Sequence, residues 1–275
     1  MSTDIKKSND RPITNSKNFS ILAFDLGNSR LKCSFFEDSC MKYYGVFKLD
    51  EIFFEGRLNY YALDNWLEEN KIARVTGCFV SSVNLLFIKH IKSFLDSRSF
   101  PVQVIEPKDL SSIIRIEYDL NMIGVDRLLH SIGASLFYGG SVCVVDMGTA
   151  ITIDLVKDNV YKGGFILPGV ESICKSLAFS LPKLPSVDIN KSHENVPAKN
   201  TSDALNNGVF YSIVYGLQGI VRTWQEKFGE FTVVLTGGSA RLFESDLSWP
   251  YFPHLTLWGI YRYAESQEFL YDKMP

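Results

Sequence analysis

The sequence predicts an α/β protein of two similar lobes that face each other, and three observations point to it. At 275 residues the chain is nearly two domains long, taking roughly 150 residues per domain. A strand–turn–strand unit carrying Asp-x-Gly followed by Asn or Thr occurs twice, at Asp25-Leu26-Gly27-Asn28-Ser29 and at Asp146-Met147-Gly148-Thr149-Ala150, about one domain's length apart. Around each copy, period-two apolar runs alternate with helical ones. The expected division is a loose tail over residues 1–18, an N-terminal lobe over 19–120 and a C-terminal lobe over 121–275.

Order starts at Phe19. Ile21-Leu22-Ala23-Phe24 reads as a buried strand ending at Asp25. Next, Leu31, Cys33 and Phe35 alternate with Arg30, Lys32 and Ser34, which predicts a half-buried strand with one polar face. Tyr43 to Leu49 supplies a third antiparallel strand after the Glu37-Asp38-Ser39 turn. Tyr60 to Glu69 reads as a helix, Val75 to Val83 as a strand, Leu85 to Leu95 as a helix and Val102 to Ile105 as a strand. Gly124 to Tyr138 predicts a helix crossing from one lobe to the other.

The second copy repeats the order. Val142 to Val145 is a strand ending at Asp146; Ile151, Ile153 and Leu155 then alternate with Thr152 and Asp154, and Val160 to Ile166 is the third strand. Gly169 to Phe179 reads as a helix, and Asp203 to Phe228 as a longer one with Leu205, Val209, Ile213 and Leu217 on one stripe. Val233 to Thr236 is a last strand running into Gly237-Gly238.

Composition excludes several classes. Hydrophobic residues make up 46% and aromatic ones 13%, enough to bury a core without disulfides. The net charge is −3, so no basic excess favours nucleic acid or an anionic membrane surface, and an anionic ligand needs a local arrangement of donors. Five cysteines (Cys33, Cys40, Cys78, Cys143, Cys174) form no Cys-x-x-Cys pair and read as reduced thiols. Four dispersed histidines (His90, His130, His193, His254) argue against zinc. The polar start, Met-Ser-Thr-Asp, and the lack of any run near ~18 apolar residues predict a cytoplasmic protein without a membrane span.

Both hairpin tips suit phosphate. Glycine tolerates its close approach and exposed backbone N–H groups can donate to it. Asn28 and Ser29 add side-chain donors, Asp25 can hold Mg2+ or its waters, and Lys32 can neutralise charge. A plain turn without ligand satisfies the same residues. Asp126 and Arg127, in Gly124-Val125-Asp126-Arg127, read either as a helix-end cap or as an acidic group within reach of a substrate hydroxyl. Asn200-Thr201-Ser202-Asp203 reads as a helix N-cap. No P-loop and no Gly-x-Gly-x-x-Gly motif occurs.

Paired hairpins of this kind resemble the actin, hexokinase and Hsp70 superfamily, an actin-like ATPase (ribonuclease H-like) fold whose active site lies in the interlobe cleft and whose glycines in the place of Gly237-Gly238 contact adenosine. More narrowly, the chain from Phe19 to about Ala264 resembles the type III pantothenate kinases. The matching segments are Asp25–Lys32, Gly124–Arg127, Asp146–Thr152, Gly163–Gly169, Leu181-Pro182, Asn200-Thr201 and Leu235–Gly238. It departs from the family at Asp119-Leu120-Asn121-Met122, where a proline is usual, and at Ser239.

The resemblance implies ATP-dependent phosphorylation of pantothenate, the first step of coenzyme A biosynthesis, by a homodimer that needs Mg2+ and a monovalent cation (K+ or NH4+). It implies that Asp25, Leu26, Gly27, Asn28, Ser29, Arg30, Leu31 and Lys32 bind the ATP phosphates, Asp25 holding Mg2+ through water, and that Thr149 touches ATP. Asp126 would be the general base, and Tyr118, Gly124, Val125 and Arg127 would line the pantothenate pocket, with Arg127 as counter-charge to the acceptor's carboxylate. Asp146 would coordinate the monovalent cation, and Thr201 would reach pantothenate across the dimer. Two alternatives stand beside this: another small-molecule kinase or phosphohydrolase of the superfamily, and a non-catalytic regulatory relative.

Overall fold

A computed structural model describes residues 19–54, 57–189 and 196–271. The tail assigned to residues 1–18 and His193 lie outside them. In chain order the elements are β1 (Ser20–Leu26), β2 (Arg30–Glu37), β3 (Cys40–Lys48), α1 (Leu49–Ile52), β4 (Phe53–Phe54), β5 (Arg57–Leu58), α2 (Tyr61–Glu69), β6 (Gly77–Ser82), α3 (Leu85–Ser97) and β7 (Val102–Val104). There follow β8 (Arg115–Ile116), α4 (Val125–Tyr138), β9 (Val142–Met147), β10 (Ala150–Lys157), β11 (Val160–Pro168), α5 (Val170–Ser180), α6 (Thr201–Phe228), β12 (Thr232–Thr236), α7 (Glu244–Leu247) and α8 (Leu255–Tyr271). Every strand and helix read from the sequence is present, with ends moved by a few residues.

One compact unit is Pro107–Gly259; the other comprises the described residues before it and those from Ile260 onward. The first unit, the one that begins the chain, holds a sheet in the order β3-β2-β1-β6-β7, and the second, Pro107–Gly259, a sheet in the order β12-β9-β10-β11-β8. In each, an antiparallel three-strand meander is extended by a parallel strand beside its first member: β6 beside β1 and β12 beside β9. The sequence repeat is therefore a repeat of topology, which puts Asp25 and Asp146 at equivalent strand ends.

In neither sheet is the face that the alternation predicts to be polar open along its whole length. One face of the first sheet, with Leu22, Phe24, Leu31 and Cys33, packs on Leu63, Leu67, Ile91 and Phe94 of α2 and α3. The opposite face is also covered: Phe36 stacks on Tyr261 and Phe79 meets Tyr263 edge-on, both aromatic rings coming from α8. Ser34 is consequently buried, with no hydrogen-bond partner for its hydroxyl. In the second unit Val145, Ile153 and Leu235 pack on Val209, Ile213 and Leu217 of α6, as the predicted stripe requires. On the other side lies α4, and Asp154, expected on a polar face, is buried there. Helices on both faces bury the middle of an alternating strand, while Arg30 and Lys32, at the hairpin end of β2, keep contact with solvent.

Candidate active site

The first hairpin sets Asp25 directly opposite Lys32 on β2 and beside Ser81 on β6. Lys32 Nζ lies 3.4 Å from Asp25 Oδ2, and Ser81 Oγ donates to Oδ1 at 3.2 Å. The carboxylate is buried, while its lysine is part-exposed. Leu26 and Leu31 send their side chains into the core, so they hold the turn and could meet a ligand only through backbone. The Gly27 N–H, one of the expected phosphate donors, is already given to the Arg30 carbonyl at 3.0 Å. The exposed side chains at the tip are those of Asn28, Ser29 and Arg30. A Cβ on Gly27 would come no nearer than 3.5 Å to any atom, so the fold itself does not demand glycine there; what glycine provides is uncovered backbone.

The second hairpin is built alike. Asp146 stands between Thr152 of β10 and Thr236 of β12, and the Gly148 N–H closes the turn on the Ala150 carbonyl at 3.0 Å. Neighbouring segments grip this tip. The Ser239 N–H donates to the Met147 carbonyl at 3.0 Å. Gly237, at φ +93°, lies so close that a Cβ would strike Asp146 Oδ1 and the Met147 nitrogen, and a Cβ on Gly169 would strike the Thr149 carbonyl. Gly237 thus shapes the Asp146 loop whatever it does for a nucleotide. Thr149 stays exposed.

Helix α4 begins at Gly124 without a side-chain cap, and Asp126 in its first turn accepts the Arg127 backbone N–H at 2.9 Å. Val125 is buried beneath that turn. Its next turn carries His130, a buried ring whose Nε2 pairs with Thr256 Oγ1 at 2.7 Å and whose Nδ1 lies 3.9 Å from Asp146 Oδ2. Residues four apart on a helix stand roughly 5–6 Å apart at Cβ, so Asp126 and Asp146 share one neighbourhood.

Arg127 turns inward. Its Nη2 donates to Asp154 Oδ1 at 2.6 Å and its Nε at 3.1 Å, while Tyr161 Oη donates to the same oxygen at 2.6 Å. The guanidinium sits 5.8 Å from the centroid of the Tyr118 ring, and Tyr118 meets Tyr161 edge-on. Burial works against the Arg127 cation, but the hydrogen bond and charge of Asp154 prevail and raise its pKa further. Burial likewise holds the Tyr161 hydroxyl protonated, with the Asp154 charge acting in the same sense. Arg127, expected as a counter-charge for a ligand carboxylate, already faces an acid of the protein.

Thr201 opens α6. Asn200 caps it as expected, its Oδ1 accepting the Asp203 N–H at 2.9 Å, and Thr201 stands exposed beside it. Among the described residues no hydrogen bond or ring contact ties Thr201 to the Tyr118–Arg127 group. Asp25–Lys32 belong to the first unit; Tyr118, Asp126, Arg127, Asp146, Thr149 and Thr201 belong to the second. Sequence reasoning missed Ser81, His130, Asp154 and Tyr161. The available signal was an Asp in the interior of an otherwise apolar strand, since an unpaired carboxylate there would be costly.

Known proteins resemble the chain in sequence and in fold. Residues 21–223 match the family described as type III pantothenate kinase. A type III pantothenate kinase from Sulfurihydrogenibium is 28% identical over 88% of this chain and 98% of its own. One from Hyphomonas neptunium is 33% identical over 63% of this chain and 69% of its own, and one from Kosmotoga olearia is 39% identical over 47% of this chain and about half, 51%, of its own. Among solved structures, a Baf family transcriptional activator from Campylobacter jejuni is 21% identical, with a TM-score of 0.59 over 90% of this chain and 99% of its own. The activator of 2-hydroxyisocaproyl-CoA dehydratase from Clostridium difficile is 11% identical, with a TM-score of 0.54 over 94% and 99%. The ROK hexokinase from Thermus thermophilus is also 11% identical, with a TM-score of 0.51 over 89% and 98%. These structural likenesses are of fold alone, the actin-like ATPase fold expected from the paired hairpins. With the family matched across most of its length, the chain belongs to the type III pantothenate kinases.

Proposed function

We infer that the chain transfers the terminal phosphoryl group of ATP to the terminal hydroxyl of pantothenate, the first step of coenzyme A biosynthesis. The observation that carries the reading is the first turn of α4. It presents a carboxylate, Asp126, one residue from a guanidinium fixed on the core and one helical turn from the residue that faces Asp146.

In this reading Asp126 accepts or orients the proton of the attacking hydroxyl. Its Oδ1 accepts the Arg127 N–H, which ties the carboxylate to the start of the helix, and proton acceptance is the role of a positioned carboxylate of this kind. Phosphoryl transfer has a loose, charge-rich transition state, so positioning and charge neutralisation carry most of the rate. Asn28, Ser29 and Lys32 donate to the ATP phosphates, and Thr149 adds a hydroxyl from the second hairpin. Gly124 and Val125 shape the acceptor pocket beside Arg127 and Tyr118, and Thr201 reaches pantothenate from a partner subunit.

The donor sets fit the implied ions. No group of three or more metal-ligating side chains occurs among the described residues, so Asp25 would hold Mg2+ through waters and phosphate oxygens, as that hard, strongly hydrated ion prefers. Mg2+ supplies neutralisation of phosphate charge. Asp146 presents oxygen over the bare Cα of Gly237, a cradle that a Cβ would fill, and it would hold the monovalent cation. Homodimer formation is supported by apolar side chains left exposed in the second unit, Phe165, Ile166, Phe179 and Tyr215. Among the described residues no helix is long and apolar enough to cross a membrane, and the free cysteines Cys33, Cys40, Cys78, Cys143 and Cys174 support a reducing, cytoplasmic setting.

The test is formation of phosphorylated product from ATP and pantothenate in potassium, ammonium and sodium buffers. Turnover in potassium or ammonium that falls in sodium alone, and that Asp146→Ala reduces to the sodium level, is expected. No product in any buffer would reject the kinase reading; equal rates in all, unchanged by Asp146→Ala, would reject the cation site.

A further inference from the structure

Among the described residues the Arg127–Asp154 pair is the most deeply buried ion pair of the second unit, and stability alone does not account for it. Arg127 is 6% exposed and Asp154 1%. Taking both charges out of water is costly, and apolar replacements of similar volume are often as stable or more so. What such a pair provides, and a hydrophobic pair cannot, is orientation. A guanidinium is a rigid planar fork, so an acceptor gripping its Nε and Nη2 edge fixes the plane and directs the remaining N–H groups.

The surroundings are arranged to hold the carboxylate in that grip. Asp154 lies opposite Gly164 in the β10–β11 register, and a Cβ on Gly164 would fall 2.5 Å from Asp154 Oδ1. Tyr161, fully buried, adds its hydroxyl to the same oxygen. From there the assembly runs outward. Arg127 is followed by Tyr118, whose ring lies against the bare Cα of Gly163, where a Cβ would meet ring Cδ2 at 3.2 Å. Tyr118 is 40% exposed, so the stack begins in the core and ends at the surface. The backbone N–H of Arg127 also holds Asp126.

We propose that Asp154 is a positioning residue for the phosphoryl acceptor: through Nε and Nη2 it sets the Arg127 fork, and with Tyr161 the Tyr118 ring, so that the outer edge of the fork meets the acceptor. The proposal rests on the reading that Arg127 and Tyr118 line the acceptor pocket. It also redefines Arg127. Because Asp154 neutralises its charge, Arg127 recognises the acceptor through oriented donors and not through net charge.

The experiment is steady-state kinetics of the full chain, varying pantothenate and ATP separately, for Asp154→Asn, Arg127→Gln and the double variant. Groups that orient metal ligands typically contribute on the order of 10–100-fold, and the same scale is taken for a group that orients a guanidinium. Asp154→Asn is expected to raise KM for pantothenate by about tenfold or more, with KM for ATP within about twofold of wild type. In the Arg127→Gln background, Asp154→Asn is expected to add nothing further, because its effect passes through the guanidinium. An unchanged pantothenate KM in folded Asp154→Asn, or independent effects in the double variant, overturns the proposal. If Asp154→Asn does not fold, Tyr161→Phe carries the test, since it removes one donor to the carboxylate and leaves the ion pair: a pantothenate KM raised about threefold or more at constant ATP KM supports the proposal, and a wild-type value overturns it. A wild-type pantothenate KM in Arg127→Gln would instead overturn the acceptor-pocket reading, and this proposal with it.

Discussion

Asp126 occupies a position where a carboxylate is useful without any chemistry. Negative charge is favoured in a first helical turn, and its Oδ1 accepts the Arg127 N–H. Capping and proton acceptance make different demands, which separates them. Asn keeps the shape and can still accept that N–H, but it takes no proton. Asp126→Asn should therefore fold and melt within a few degrees of the wild-type temperature while turnover falls ~10²–10⁴-fold. KM for ATP should change little, since Asp126 is not among the hairpin residues assigned to the phosphates. Steady-state rates and a thermal melt decide it: turnover within two- or threefold of wild type would reduce Asp126 to a cap. Lys32 makes a second test at the same scale. It lies 3.4 Å from Asp25 and is part-exposed, and Ser81 donates to the same carboxylate, so the fold should not depend on the lysine. Lys32→Ala should weaken ATP use with the protein still folded, read as KM for ATP beside a melting curve. Loss of the fold at unchanged ATP affinity would show the lysine to be structural.

The hairpin tips are the elements on which the phosphate reading depends, and the second is held by contacts that can be removed singly. Gly237 has φ +93°, a left-handed backbone that side chains disfavour, and a Cβ there would collide with Asp146 and Met147. Gly237→Ala should destabilise the chain by more than ~1 kcal/mol. By displacing Asp146 it should also raise the potassium concentration needed for half-maximal activity. Denaturation midpoints combined with a potassium titration test both parts; an unmoved titration in a destabilised protein would detach Gly237 from the cation site. These tips were legible in the sequence because a continuous apolar run ending in Asp-x-Gly, followed at once by a period-two run, leaves few other foldings. The burial of Ser34 and Asp154 was not. Alternation reports which residues share a face, not whether a helix covers it, and α4 and α8 cover the faces that Ser34 and Asp154 occupy. Helix α8 itself escaped because Leu255, Leu257, Trp258, Ile260, Tyr261, Tyr263 and Ala264 are all buried, so its apolar residues run round the helix and draw no stripe. The Arg127–Asp154 pairing depends on a helix meeting a strand, which no local spacing encodes.

At the scale of the whole molecule, three thiols link stability to pH. Cys33 and Cys78 lie in the core of the first unit and Cys143 in that of the second. Burial pushes all three thiols up, opposed at Cys33 by a backbone hydrogen bond from Gly45 and reinforced at Cys143 by the charge of Asp154. The folded state therefore keeps protons that the unfolded chain releases near the ordinary thiol value of about 8.5. Below that value both states are protonated and the contribution to stability is whole. Above it only the unfolded chain ionises, so stability is lost as pH rises, by about 1.4 kcal/mol per pH unit for each thiol. Tyrosine and lysine in the unfolded chain have midpoints near pH ~10 and are no more than about a tenth titrated at pH ~9, so the window between about 8 and 9 reports mainly the thiols. Urea midpoints of the wild type should fall across it. The triple variant Cys33→Ala, Cys78→Ala, Cys143→Ala should start lower, from the volume it loses, yet decline far less. Parallel curves for the two proteins would mean that the buried thiols ionise as easily as exposed ones, and would contradict the packing of both cores.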